Sequence, residues 1–248
     1  MDIQLKQQLL RLADLYETEE FLHGDPSWWM HQVEGHLNQE ATAFVASALS
    51  YGSRSQFMPK IEHLLDLADG DMDRWIRKGL YEQHFTPGDK DCFYRLYNRD
   101  TMHTFFDAYR RLMNEHGSLG DYLSRNGSIS GLQAVQLICR WFSSCGAGAV
   151  VPKDATSACK RVCMFLRWMV RTGSPVDLGL WSPFIDRRTL IMPLDTHVVS
   201  EAISLGLLTS RSASMNAAIH LTQSLAEVFP DDPLRGDFAL FGYGVNKG

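Results

Sequence analysis

The stretch TSACKRVCMFLRWMVRTGSP, residues 156–175, decides the fold class. Thr156 and Ser157 are side chains that cap helix starts, and Gly173 followed by Pro175 is a stop, so a helix is expected over about 158–171. Within it Ala158, Val162, Phe165, Leu166 and Met169 recur at helical spacing and should face a core. Lys160, Met164, Arg167 and Arg171 recur at i, i+4, i+7 and i+11 on another face. Working outward, the same period returns at Leu5, Leu9, Leu10, Leu12, Ala13 and Tyr16, at Phe44, Val45, Ala48 and Leu49, and at Ile61, Leu64, Leu65 and Ala68. Asp25-Pro26, Thr86-Pro87-Gly88, Asn126-Gly127 and Gly173-Ser174-Pro175 supply turns between these segments. Strand-like alternation is nearly absent, and no internal repeat stands out. An all-α protein of about ten helices is expected.

Composition narrows the function classes. A chain of 248 residues can bury a substantial core. With 24 basic and 29 acidic side chains its net charge is −5, which speaks against a generic polyanion binder and leaves room for a local basic groove. No run approaches the ~20 apolar residues of a membrane span, and the N-terminus lacks the pattern of a signal peptide, so a cytoplasmic protein without a membrane partner is expected. The five cysteines are too irregular for a disulfide framework. Cys159 and Cys163 lie one helical turn apart with no second pair and no nearby histidine, which suits structural thiols better than metal ligands.

Two residues stand at helix edges where chemistry is plausible on residue type alone. Lys160 falls in the first turn of its helix, where the positive end of the helix dipole and the neighbouring Arg161 disfavour an ammonium; Schiff-base chemistry needs the neutral amine. Asp195 follows the apolar run Leu190-Ile191-Met192-Pro193-Leu194 and opens a helix from Thr196 to Leu205 that Gly206 stops, so it is expected to be an N-cap whose carboxylate accepts backbone N–H groups. An ordinary cap and an ordinary surface lysine fit the same local patterns. Lys153, Lys160, Arg161, Arg167, Arg171 and Arg187 together suggest a phosphate-tracking surface.

Pro193-Leu194-Asp195-Thr196-His197-Val198, Lys160-Arg161-Val162-Cys163-Met164-Phe165 and Ser50-Tyr51-Gly52 resemble segments of the helix-hairpin-helix (HhH-GPD) DNA glycosylase superfamily, near the archaeal 8-oxoguanine enzymes. Residues from about 40 to 244 resemble an uncharacterised bacterial family placed in that superfamily. The resemblance implies two interwoven helical lobes, one over 36–174 ending in the lysine-bearing helix and one from 1–35 plus 175–248. It implies a base-excision repair glycosylase with AP-lyase activity that removes an oxidised purine, with Lys160 as Schiff-base nucleophile and Asp195 stabilising the cationic sugar. Met164, Asp237, Phe241 and Gly52 would form the base pocket. Lys153, Arg161, Arg167, Tyr51, Arg54 and Gln56 would contact DNA. Damaged DNA is the implied partner, met by a monomer at the bacterial nucleoid, and no cofactor is expected; no cysteine follows Cys163, so no iron–sulfur cluster is expected either. The Gly-x-Gly that precedes the lysine in that superfamily is missing, Gly146-Ala147-Gly148 lying well upstream. Other readings of the same chain are a non-catalytic DNA-binding protein and an α-helical protein-interaction module.

Overall fold

The computed structural model describes residues 1–245, the side chain of Val245 excepted. It is all-α apart from one small hairpin, and none of its helices is long and apolar enough to cross a membrane among the described residues. Two compact units are interleaved along the chain. The first comprises Met1–His23, Ile129–Val135 and Ala155–Gly248, and the second Gly24–Ser128 and Gln136–Asp154. This differs from the expected division, because residues 24–35 leave the unit of the two chain ends and residues 129–135 and 155–174 join it.

The second unit contains α2 (His36–Leu49), α3 (Arg54–Leu67), α4 (Met72–Arg77), the hairpin β1 (Cys92–Tyr94) and β2 (Tyr97–Asn98), α5 (Arg99–His116), α6 (Leu119–Arg125) and most of α7 (Gly131–Ser144). Aromatic residues fill its core, with Phe44 meeting Tyr109 at 5.0 Å and Phe142 at 5.1 Å between ring centroids. Glu40 is buried on α2, and its two oxygens accept the N–H groups of Leu119 and Gly120 at 2.8 and 3.1 Å. Those amides belong to the open N-terminus of α6, so a charge that would otherwise be costly to bury satisfies orphan donors at the positive end of a helix. The hairpin was not expected. Aromatic Phe93, Tyr94 and Tyr97 suit a pleated, half-buried surface, and its turn uses Arg95 at φ 51 where a glycine would have announced it.

The first unit contains α1 (Ile3–Tyr16), α8 (Lys160–Val170), α9 (Thr196–Ser204), α10 (Met215–Ala226) and α11 (Arg235–Val245). Gly236 and Gly242 let α11 come close to its neighbours; a Cβ at Gly236 would meet the Leu225 side chain at 2.6 Å, and one at Gly242 would enter the ring of Tyr16. The lysine-bearing helix begins two residues later than expected. Ala158 donates to the carbonyl of Ala213 and Met215 to that of Thr156, so Thr156–Ala158 run extended beside residues 213–215 and cannot start a helix. The cap is Cys159, in left-handed backbone at φ 46 and ψ 39 with no side-chain bond to the helix. At its other end α8 is closed by the following loop, where Leu178 donates to the Trp168 carbonyl and Trp181 to that of Met169, both at 2.7 Å.

α8 is buried on every side from Val162 to Val170, and this corrects the expected cationic face. Arg167 is 3% exposed and Arg171 1%. Arg167 pairs with Asp177 at 3.2 Å and, closer still, with Asp237, while its guanidinium lies 4.8 Å from the Phe238 ring centroid. Arg171 reaches Asp232 at 2.8 Å, Glu17 at 2.5 Å and Asp177. Each guanidinium is desolvated only because carboxylates from other parts of the chain meet its fork. Neither is left over for a DNA phosphate.

Candidate functional site

Lys160 is the first residue of α8 and Asp195 the N-cap of α9, and both lie in the first unit. Asp195 Oδ1 accepts the N–H of Val198 at 2.8 Å, which turns Oδ2 toward Lys160, and Lys160 Nζ stands 3.2 Å from it. The two side chains remain 35% and 28% exposed, so the pair is open to an incoming molecule. Burial works against the charge of Asp195. The Lys160 ammonium, the Val198 N–H and the nearby His197 outweigh it and hold the carboxyl below its usual range. A basic nitrogen and an ionised carboxylate thus share one open spot, each fixed by a helix start.

Asp237 is the second acid here. Its carboxyl is pushed up by burial and by the charge of Asp195, against the pull of Arg167 and Lys160. Its Oδ2 is taken by the buried Arg167, so the expected hydrogen bond to a base edge meets a group already engaged. Met164, one turn along α8 from Lys160, is 9% exposed. Phe241 on α11 is held edge-on by Tyr16 at 5.7 Å and Phe21 at 5.0 Å. Of the expected basic contacts, Arg161 is half-buried beside Lys160 and Arg167 is removed, as above. Lys153 lies exposed in the second unit, its stem 3.1 Å from where a Cβ on Gly148 would stand.

Tyr51, Gly52, Arg54 and Gln56 also belong to the second unit, where they form one exposed surface with the unexpected hairpin. Tyr51 Oη accepts the N–H of Leu96 at 3.1 Å and donates to the Tyr94 carbonyl at 3.2 Å. Gln56 Oε1 accepts from Arg95 at 3.1 Å. Gly52 sits at φ 84, with Tyr94 Oη and Arg95 Nη1 both 3.0 Å from the place of a Cβ, so a side chain there would be strained and crowded at once. Arg95 and Leu96 are the surface residues that sequence reasoning missed; a run of aromatics between two polar turns was the available signal.

No curated protein and no solved structure matches the chain. A family model described as "Protein of unknown function (DUF2400)" matches residues 25–246, a span that includes Lys160, Asp195 and the hairpin. This finding overturns the assignment to the helix-hairpin-helix DNA glycosylase superfamily, which no family match supports. The chain belongs to the DUF2400 family.

Proposed function

We propose that Lys160 and Asp195 form an amine–carboxylate centre that attacks the sugar C1′ of damaged DNA, giving a DNA glycosylase with AP-lyase activity. The observation that carries this reading is the 3.2 Å approach of Nζ to an oriented, part-exposed carboxylate oxygen. The Lys160 ammonium passes a proton through Asp195 to solvent, which leaves Asp195 ionised as its lowered range requires, and the freed lone pair attacks C1′. At an intact lesion the C1′–N bond breaks, its electron pair leaves with the base, and the Asp195 carboxylate stabilises the positive charge on the sugar. At an abasic site the same attack adds Nζ to the aldehyde and expels water. In the first route the C1′–O4′ bond then opens, its electron pair going to O4′, which takes a proton; either route so gives an iminium at C1′, which acidifies the C2′ proton. Loss of that proton drives the electron pair to expel the 3′ phosphate, and the strand is cut. Asp237 is not assigned to the base, because Arg167 holds it. The reading is therefore of sugar chemistry, with an oxidised purine as the first lesion to try.

Borohydride trapping tests it. Incubated with duplexes carrying an abasic site or an oxidised purine and then reduced, the wild-type protein should form a covalent adduct, Lys160→Ala none, and Asp195→Asn one that forms at least about a hundredfold more slowly. Absence of an adduct across both substrates would sink the proposal. DNA binding without an adduct would instead favour the non-catalytic DNA-binding reading.

A further inference from the structure

Leu96 is 86% exposed, more than any other large apolar side chain among the described residues. Isolated surface leucines are ordinary. What sets Leu96 apart is how firmly it is presented. It sits at the tip of the β1–β2 hairpin, its N–H fixed by Tyr51 Oη at 3.1 Å, and Tyr94 Oη donates back to the Tyr51 carbonyl. The Tyr51 ring meets those of Tyr94 and Tyr97, each at 5.0 Å between centroids. The backbone is thus braced from two strands and a loop while the side chain points to water, so little ordering is left to do when something covers it.

The surroundings select the partner. Residues 51–60 and 92–98 contain Arg54, Lys60 and Arg95 and no acid, although the whole chain carries 29 acids in 248 residues and roughly two would be expected here by chance. Arg95 meets neutral groups, Gln56 at 3.1 Å and the Tyr51 ring at 5.6 Å, and Lys60 lies 5.1 Å from the Phe93 ring centroid. Arg54 is 3.7 Å from Asp25 with more than half of its side chain exposed. A rigid apolar tip between cations fits a polyanion that has apolar layers to separate, which describes stacked bases between phosphates.

We propose that the hairpin tip, the loop 51–53 and the first turns of α3 form a nucleic-acid contact, in which Leu96 enters between bases and Arg95, Arg54 and Lys60 meet the flanking phosphates. The proposal rests on the nucleic-acid partner of the reading above and is independent of its chemistry. The test uses a duplex carrying 2-aminopurine beside a tetrahydrofuran abasic-site analogue, which cannot form a Schiff base. Wild-type protein should bind it and raise the 2-aminopurine fluorescence as the base unstacks. Leu96→Ala should abolish the rise and weaken binding about tenfold, with an unchanged melting temperature. Arg95→Gln and Lys60→Gln should each weaken binding about threefold and flatten the log–log salt dependence by about one unit. Wild-type protein that does not bind this duplex overturns the proposal. So does a Leu96→Ala variant that binds and unstacks as wild type does, and so does one that changes only self-association in sedimentation, which would make the tip a protein contact. Fluorescence that depends on Leu96 without any borohydride adduct sinks the chemistry alone; an adduct with Leu96→Ala indistinguishable from wild type sinks the contact alone.

Discussion

At the scale of single residues, Asp195 and Cys159 set the geometry around Lys160. The folded-state value of Asp195 is lowered, so its ionisation adds stability at pH values above the ordinary carboxylate range, and that contribution is lost as pH falls through the lowered value. Asparagine is an equally good cap, so Asp195→Asn isolates the charge. It should cost about 1 kcal/mol in urea unfolding at neutral pH and nothing measurable in strong acid, since the pair is part-exposed and screened. A difference that persisted in acid would assign the effect to packing instead. Cys159 holds left-handed backbone that a β-branched residue strongly resists. Cys159→Val should therefore cost about 1–2 kcal/mol and slow any borohydride trapping, while Cys159→Gly keeps the turn and the trapping. The turn at Cys159 was not legible locally, because a cysteine is not a residue from which left-handed backbone is inferred; the capping role of Asp195 was legible, because an acid before a helix has few other uses.

At the scale of elements, the helices were readable and their faces were not always so. The periodicity of α1, α2 and α3 placed Leu9, Leu12, Phe44, Ile61 and Leu64 correctly in cores. On α8 the same rule treated Arg167 and Arg171 as solvated, since an arginine at helical spacing is normally exposed. Their partners stand at positions 17, 177, 232 and 237, all outside α8, where the period of that helix reveals nothing. The approach of α1 to α11 is likewise set by a residue without a side chain. Gly242→Ala would drive a methyl group into the Tyr16 ring, and urea unfolding should report a loss of about 1–3 kcal/mol. An unchanged midpoint would mean that α11 moves freely past α1.

At the scale of the whole molecule, the buried charges join parts of the first unit that are far apart in sequence. Arg171 alone ties α8 to Glu17 after α1, to Asp177 in the loop beyond α8 and to Asp232 before α11. Burial pushes Asp177 up against the pull of two guanidinium groups, and the neighbouring arginines hold Glu17 low despite its own desolvation. Arg171→Met would strand Asp232 and take one of two guanidinium partners from Asp177 and Glu17, which keep Arg167 and Arg235, and a loss of about 3–5 kcal/mol is expected, seen as a large fall in melting temperature. Adding Asp232→Leu should recover part of it, because an apolar pair needs no compensation; a double variant no more stable than the single one would refute this account. The sequence alone determined the all-α class, most helix positions and the capping role of Asp195, since these depend on residues within a turn or two of each other. Only the tertiary structure decided that Lys160 meets Asp195, that Arg167 and Arg171 turn inward, and that Leu96 is held out at a braced tip. Each of those outcomes depends on contacts between distant segments, whose geometry is fixed by packing and carries no local pattern.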